Sequence, residues 1–260
     1  RRPPRSTRKE SSAASDVYKR QNLSILQNAG QISHKPYPHI IIENALPEKL
    51  FNELHSTLPE EYVAGKPLGP DQSRRVKFHV LDEDKWPITD LWRDFFEYHT
   101  SRKFFNEVLD LFGDHVSLLP IKPSKIITGR GKKSLNNINC YQDCQFVRHD
   151  VVPAGETTRT PHFDNLFEIF AGLLYFKHDT STGGDFHVHE QTQLPTMGGK
   201  NNAVTNAGPI VRTAPYKNNT VALFLNSRYA IHSVEPRSGI QLPRWSVNII
   251  GRYTGAKMGK

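Results

Sequence analysis

From about Leu118 to Tyr253 the sequence runs as short apolar or alternating stretches separated by turn residues, with no helical pattern between them. That succession constrains the fold more than any other feature of the chain. Strand-like stretches run from Tyr141 to Val152, Ile169 to Phe176, Asp185 to His189, Pro209 to Thr213, Thr220 to Leu225, Ala230 to Val234 and Arg244 to Tyr253. Gly183-Gly184, Gly198-Gly199 and Lys217-Asn218-Asn219 punctuate them as turns. Many short strands without intervening helices predict a mainly β fold, a sandwich or jelly roll. There is no internal repeat, and Met197 to Ala207, rich in Gly and Asn, reads as a mobile loop.

The preceding hundred or so residues carry a different pattern. Lys35 to Glu43 reads as a strand entry, because Pro36 and Pro38 hold it extended before the run Ile40-Ile41-Ile42. Pro47 suits the first turn of a helix with Leu50, Phe51, Leu54 and Leu58 on one face. Gly and Pro between Gly65 and Arg75 signal a loop. A second helical region starts at the cap Thr89-Asp90 and carries Leu91, Trp92, Phe95, Phe96, Phe104, Phe105, Val108, Leu109 and Phe112 before Gly113 stops it. These aromatics are expected to pack on a sheet as an N-terminal helical support. The organisation is therefore 22–117 as strand and helix support, 118–254 as β core and 255–260 as a tail.

Residues 1–21 are set apart. Ser11 to Gln21 resembles an in-frame translation of a transposase adapter used to make sequencing libraries, so residues 1–21 are read as a disordered artefact outside the fold. The alternative is a natural basic tail of the kind that binds nucleic acid. Of the 34 basic and 26 acidic groups in the chain, seven and two fall in this segment. The remainder then carries 27 against 24, a net of about +3, and no nucleic-acid partner is expected.

Only Cys140 and Cys144 are present, which is too few for a disulfide framework and two ligands short of a closed metal site. They read as reduced thiols near a strand. No apolar run is long enough to span a bilayer and no stretch resembles a signal peptide, so the expectation is a cytoplasmic protein without membrane partners.

Within the β region lies Thr160-Pro161-His162-Phe163-Asp164-Asn165, followed by Ile231-His232-Ser233-Val234 and Arg244-Trp245-Ser246. A lone His-X-Asp says little, since chance alone supplies about 0.6 such triplets in a chain of this composition. Its context says more. On extended backbone His162 and Asp164 project to one face and can chelate one ion, and His232 on the penultimate strand can supply the third ligand. Two histidines and a carboxylate form the facial set that binds non-haem Fe(II) and leaves positions open. Arg244 and Ser246 share a face of the last strand, where a guanidinium and a hydroxyl can clamp a carboxylate.

The order His162-X-Asp164, His232, Arg244-X-Ser246 resembles the pattern of the 2-oxoglutarate/Fe(II)-dependent dioxygenases. Pro161 to Asn165, Ala171 to Phe176, Ser181 to Phe186, Pro215 to Thr220 and Phe224 to Ser227 are similar to a bacterial and phage-type group near the prolyl-hydroxylase branch. The likeness covers about Tyr141 to Tyr253, with Tyr37 to Leu58 similar to the family's entry segment. It implies a double-stranded β-helix core, with Fe(II) on His162, Asp164 and His232 and 2-oxoglutarate as co-substrate on Arg244 and Ser246. Tyr175 is a further candidate for that carboxylate, and Asn165 a candidate to orient Asp164. The implied reaction consumes O₂, releases succinate and CO₂ and hydroxylates an unactivated C–H bond, with ascorbate as an accessory reductant. The substrate, whether small molecule, glycan or peptide, is not named by the resemblance.

Two other readings stand beside it. One is a non-catalytic jelly-roll module that binds a ligand such as a glycan. The other is a cupin-like metal oxidase using His187 and His189, which also share a strand face. His149-Asp150 fails as a metal pair, because adjacent side chains on a strand point oppositely.

Overall fold

The computed structural model describes residues 23–77, 86–119, 122–130, 138–153, 155–198, 202–239 and 241–254. The adapter-like segment, the tail 255–260 and Gly199 lie outside the described residues. Twelve strands are named: β1 (His39–Ile42), β2 (Ser73–Lys77), β3 (Thr128–Arg130), β4 (Cys140–His149), β5 (Glu168–Phe176), β6 (Thr182–Gly183), β7 (Phe186–His189), β8 (Ile210–Ala214), β9 (Val221–Leu225), β10 (His232–Val234), β11 (Arg237–Ser238) and β12 (Arg244–Tyr253). The helices are α1 (Glu48–Ser56), α2 (Glu60–Ala64), α3 (Asp90–His99) and α4 (Arg102–Phe112).

A seven-stranded sheet has the order β1-β9-β5-β12-β4-β2, with β3 pairing β4. Its ladders are antiparallel except for β3 with β4. A three-stranded sheet, β10-β7-β8, and the β11-β6 pair complete the β structure. Side chains alternate across the large sheet, because successive residues of a strand point to opposite faces. Phe146, Phe170, Leu174, Phe176, Leu223, Trp245, Val247 and Ile249 belong to one buried cluster together with Phe51, Trp92, Phe95, Phe96, Phe104 and Phe105 of the helices. Ala171, Tyr175, Ala222 and Phe224 belong to another, packed against Phe186, Val188 and Ala214 of the smaller sheet. Sheet therefore faces sheet on one side and helices on the other, a mainly β, jelly-roll arrangement.

The helices begin where their caps allow. Thr89 accepts from Trp92 N at 3.4 Å and Ser101 from Phe104 N at 3.2 Å, each satisfying an otherwise unpaired donor of the first turn. The second cap corrects one expectation. The region from Thr89 to Gly113 is two helices rather than one, because Ser101 caps a new start. Gly113 closes α4 with φ +50°, a conformation that costs glycine little. Gly251 answers a different need: a Cβ there would lie 2.3 Å from a ring carbon of Phe170.

Ser73 to Arg75, expected as loop, form the start of β2. Among the described residues this strand pairs only with β4, and a charged edge strand shows no clear apolar alternation. The segment from Met197 to Ala207, expected as mobile, pairs in its described part, with bridges Met197↔Val204 and His162↔Ala203. Cys140 and Cys144 are free and buried; burial pushes the Cys140 thiol up to about 12. No helix among the described residues is long and apolar enough to cross a membrane.

Candidate metal and co-substrate site

His162 lies outside the named strands, yet its backbone is tied to β10. His162 N donates to His232 O and His232 N to His162 O, each at 2.9 Å. This directly opposed, doubly bonded pair brings side chains on the same face close together, and the imidazole centroids are 4.2 Å apart. Phe163, on the opposite face, packs with Val204 and Ile231. Local alternation and one narrow backbone pair thus present both histidines to one point.

Each imidazole is oriented in the same way. His162 Nδ1 lies 2.7 Å from Thr160 O and His232 Nδ1 2.9 Å from Ala230 O. A carbonyl only accepts, so each Nδ1 carries the proton and each Nε2 keeps a lone pair. Those Nε2 atoms face Asp164, at 3.8 Å from Oδ1 for His162 and 3.7 Å from Oδ2 for His232. One ligand atom from each of His162, Asp164 and His232 lies within 4.8 Å of the others. Burial lowers the pKa of His162 well below its ordinary value, with His232 and Arg159 adding to it. Burial also lowers that of His232, although Asp164 pulls the other way. Both are neutral at pH 7, the state in which imidazole ligates a metal. Phe186 stacks on His232 at 5.1 Å, which walls that side of the group.

On β12 of the large sheet, Arg244 is 2 % exposed. Its guanidinium lies 4.7 Å from the Tyr175 ring and 4.8 Å from the Tyr216 ring, an attractive placement for a cation over two aromatic faces. Nε donates to Gly184 O at 3.3 Å, but Nη2 is buried without a partner. The Tyr175 hydroxyl, which feels the Arg244 guanidinium beside it, is likewise buried and makes no hydrogen bond of ordinary geometry. Such groups are costly unless something satisfies them. Ser246 stands opposite Tyr175 in the ladder, but its hydroxyl lies 2.8 Å from Asn248 Oδ1 and donates to it. As a clamp donor it would have to leave that partner. Asn165 does not reach Asp164 in any hydrogen bond among the described residues; its Oδ1 accepts from Phe167 N at 3.0 Å and builds the turn before β5.

Four further residues belong to this region. Tyr216 donates to Phe176 O and accepts from Trp245 N, both at 3.1 Å, which fixes the ring beneath Arg244. His149 stands opposite Arg244 in the ladder, is 6 % exposed and has both ring nitrogens unpartnered. Burial, with Arg244 and Arg75 adding, holds its pKa down to about 3. Asp150 next to it pairs with Arg74 and Arg148, each at 3.1 Å. Arg75 and Arg159 complete the set. Only the register of β4 against β12 and of β2 against β4 puts His149 and Arg75 here, and no short spacing announces that.

His162, Asp164, His232, His149 and Arg244 all line an inner chamber of about 100 Å³. A wider outer chamber of about 740 Å³ shares Arg75, Arg159, Asp164 and Glu168 with it. His189 is differently placed. Its Nδ1 is 2.9 Å from Gly208 O and its Nε2 2.8 Å from Ser233 Oγ, so both nitrogens are engaged and neither is presented with His187 to an ion.

The donor set suits a divalent cation with open positions: two neutral imidazole nitrogens, one carboxylate and a water-poor wall. The unpartnered Arg244 Nη2 and Tyr175 hydroxyl in the same barrel suit the carboxylate of a small co-substrate.

No family model matches the sequence, and no curated protein matches it. Solved structures do. The non-haem α-ketoglutarate dependent epimerase SnoN from nogalamycin biosynthesis superposes with a TM-score of 0.50 and 9% identity, covering 91% of this chain and 84% of that one. A prolyl-4-hydroxylase from Pseudomonas putida gives a TM-score of 0.46 at 12% identity over 84% of this chain and 93% of that one. HygX from Streptomyces hygroscopicus, with nickel, 2-oxoglutarate and hygromycin B bound, gives 0.45 at 10% identity over 85% of each. At such identities the likeness to SnoN concerns the fold alone.

Proposed function

We propose that this protein is an Fe(II)- and 2-oxoglutarate-dependent oxygenase that hydroxylates an unactivated C–H bond. The observation that carries the reading is the convergence of ligand atoms of His162, Asp164 and His232 within 4.8 Å of one another on the wall of a chamber that Arg244 also lines. His162, Asp164 and His232 would hold the ion. When bound, iron and 2-oxoglutarate together supply the oxidising chemistry, using O₂ and giving succinate and CO₂.

The chain's own residues do the rest. Thr160 O and Ala230 O hold the two imidazoles in the tautomer that leaves Nε2 without a proton. Arg244, steadied by the rings of Tyr175 and Tyr216, takes the distal carboxylate of the co-substrate, and the Tyr175 hydroxyl donates to the same group. Phe186 and Phe224 beside His232 keep water from that flank.

Adding Fe(II) and 2-oxoglutarate without oxygen should produce a visible charge-transfer band, and admitting oxygen should produce succinate. His162→Ala should lose both. Failure of the purified protein to bind Fe(II) under anaerobic conditions would overturn the reading.

A further inference from the structure

We infer that the outer chamber binds an anionic group of the substrate, a carboxylate or a phosphate, between Arg75 and Arg159, and that Arg159 becomes available when a metal ion takes His162 Nε2. The inference rests on the oxygenase reading and names the chemistry of its substrate.

Arg159 Nε donates to His162 Nε2 at 3.2 Å. This is the lone pair that the triad offers an ion. Arg159 Nη2 also lies 3.9 Å from Asp164 Oδ1, so the guanidinium sits on the triad as its resident cation. A divalent ion bonded to that nitrogen at about 2.1 Å leaves no lone pair to accept from Arg159. It also repels the guanidinium at short range, and a guanidinium does not shed its proton to escape. The side chain must turn toward another anion.

On the outer wall it meets Asp71, 3.8 Å from Nη1. That carboxylate is already engaged: Arg75 Nη2 donates to Oδ2 at 2.7 Å and Ser73 Oγ donates to Oδ1. Two guanidiniums then share one carboxylate oxygen, and the wall carries positive charge in excess. Glu168, also on this wall, has its carboxyl pushed up to about 8 by burial and by the neighbouring Asp164 charge, so at pH 7 it is mostly protonated and does not offset the two guanidiniums. The Arg75 side chain is 37% exposed and that of Arg159 20%, which makes both reachable from the chamber. Planar guanidinium forks match carboxylate and phosphate geometry. Pro67, Leu68 and Pro70 line the same chamber and provide apolar surface for the rest of the substrate. Asp164 lies on the wall that both chambers share, so an anion held by the arginines leaves its carbon skeleton beside the metal ligands.

Mn(II) is a suitable redox-silent probe, read by its paramagnetic resonance in the full chain. Arg159→Met should bind Mn(II) more tightly than wild type by roughly two- to fivefold, the scale of one lost charge interaction, while substitution of Arg75, which makes no hydrogen bond to the triad, by Met should change the affinity much less. With Mn(II) and 2-oxoglutarate bound, acetate and methyl phosphate are then added separately and the broadening of their methyl proton signals is followed. The anion broadened at lower concentration identifies the class, and its apparent affinity should fall roughly tenfold in either variant, as expected for loss of a charge-assisted hydrogen bond. Arg75→Met, which removes a side chain that makes no hydrogen bond to the triad, carries this arm if Arg159→Met does not fold. Broadening that neither substitution changes means an anion bound on the metal or elsewhere and overturns the proposal, as does an unchanged Mn(II) affinity in folded Arg159→Met. Absence of Mn(II) binding by wild type is a different result, because it overturns the oxygenase reading itself and this proposal with it.

Discussion

The two faces of the seven-stranded sheet use the same strands for opposite purposes. On the helix side Phe146, Phe176, Trp245 and Val247 meet Trp92, Phe95 and Phe96 in a dry aromatic layer. On the barrel side the next residues along, His149, Tyr175, Arg244 and Ser246, are equally buried but carry polar atoms, several without partners. A period of two is enough to separate packing from chemistry. Substitutions on the two faces should therefore fail in different ways.

The largest effect is expected at Trp92, whose ring lies 4.7 Å from Phe146 and whose Nε1 donates to Thr57 O at 3.1 Å. Trp92→Ala should cost about 3–5 kcal/mol of stability in urea unfolding, while the folded fraction keeps its metal affinity. A change in metal affinity of the folded protein would mean that the two faces are coupled. Arg244→Met is the converse. Its 2-oxoglutarate dissociation constant, read by titration with Mn(II) bound, should rise by about ten- to a hundredfold, the worth of a hydrogen bond to a charged group. Stability should change little or rise, because a buried cation with an unsatisfied N–H is removed.

A third test uses pH on the helix side. His99 accepts from Ile25 N at 3.3 Å and donates to Phe95 O, and burial holds its pKa down to about 3. The unfolded chain takes up that proton near the ordinary histidine value. The contribution is therefore complete above about pH 6.5 and declines as pH falls toward 3, with about 2 kcal/mol lost by pH 5. Urea midpoints at pH 7 and pH 5 should show this slope in wild type and a shallower one in His99→Gln. The smallest effect is expected for Ser246→Ala, which removes one hydrogen bond to Asn248 and should cost about 1 kcal/mol. If it raises the 2-oxoglutarate dissociation constant as much as Arg244→Met does, Ser246 leaves Asn248 to hold the co-substrate.

These faces were unequally legible in the sequence. The longer strands from β4 to β12 announce themselves because β-branched and aromatic residues recur between Gly and Asn turns, and the expected last strand, Arg244 to Tyr253, coincides with β12. The two-residue strands β6 and β11 do not, and Gly183, expected in a turn, belongs to β6. His162, Asp164 and His232 were visible as a short spacing and a distant partner, and the structure brings them together. Arg75, His149 and Tyr216 were not, because each reaches the chamber through pairing or stacking between segments far apart in the chain. Arg159 carries no sign in the sequence that its fork bends back to His162. Ser246 was placed on the right face, yet its bond to Asn248 depends on side-chain geometry that no period reveals.

The opposed backbone pair of His162 and His232 has one more consequence. The two ligands are about 70 residues apart in the chain, and closing a loop of that length costs the unfolded ensemble several units of RT. On the proposed function, an ion gripped by both, and by Asp164, would act as a reversible staple across that span. It would bind the folded chain and find no ready-made site in the unfolded one, so thermal tolerance should climb with the logarithm of metal concentration and fall back when a chelator removes the ion.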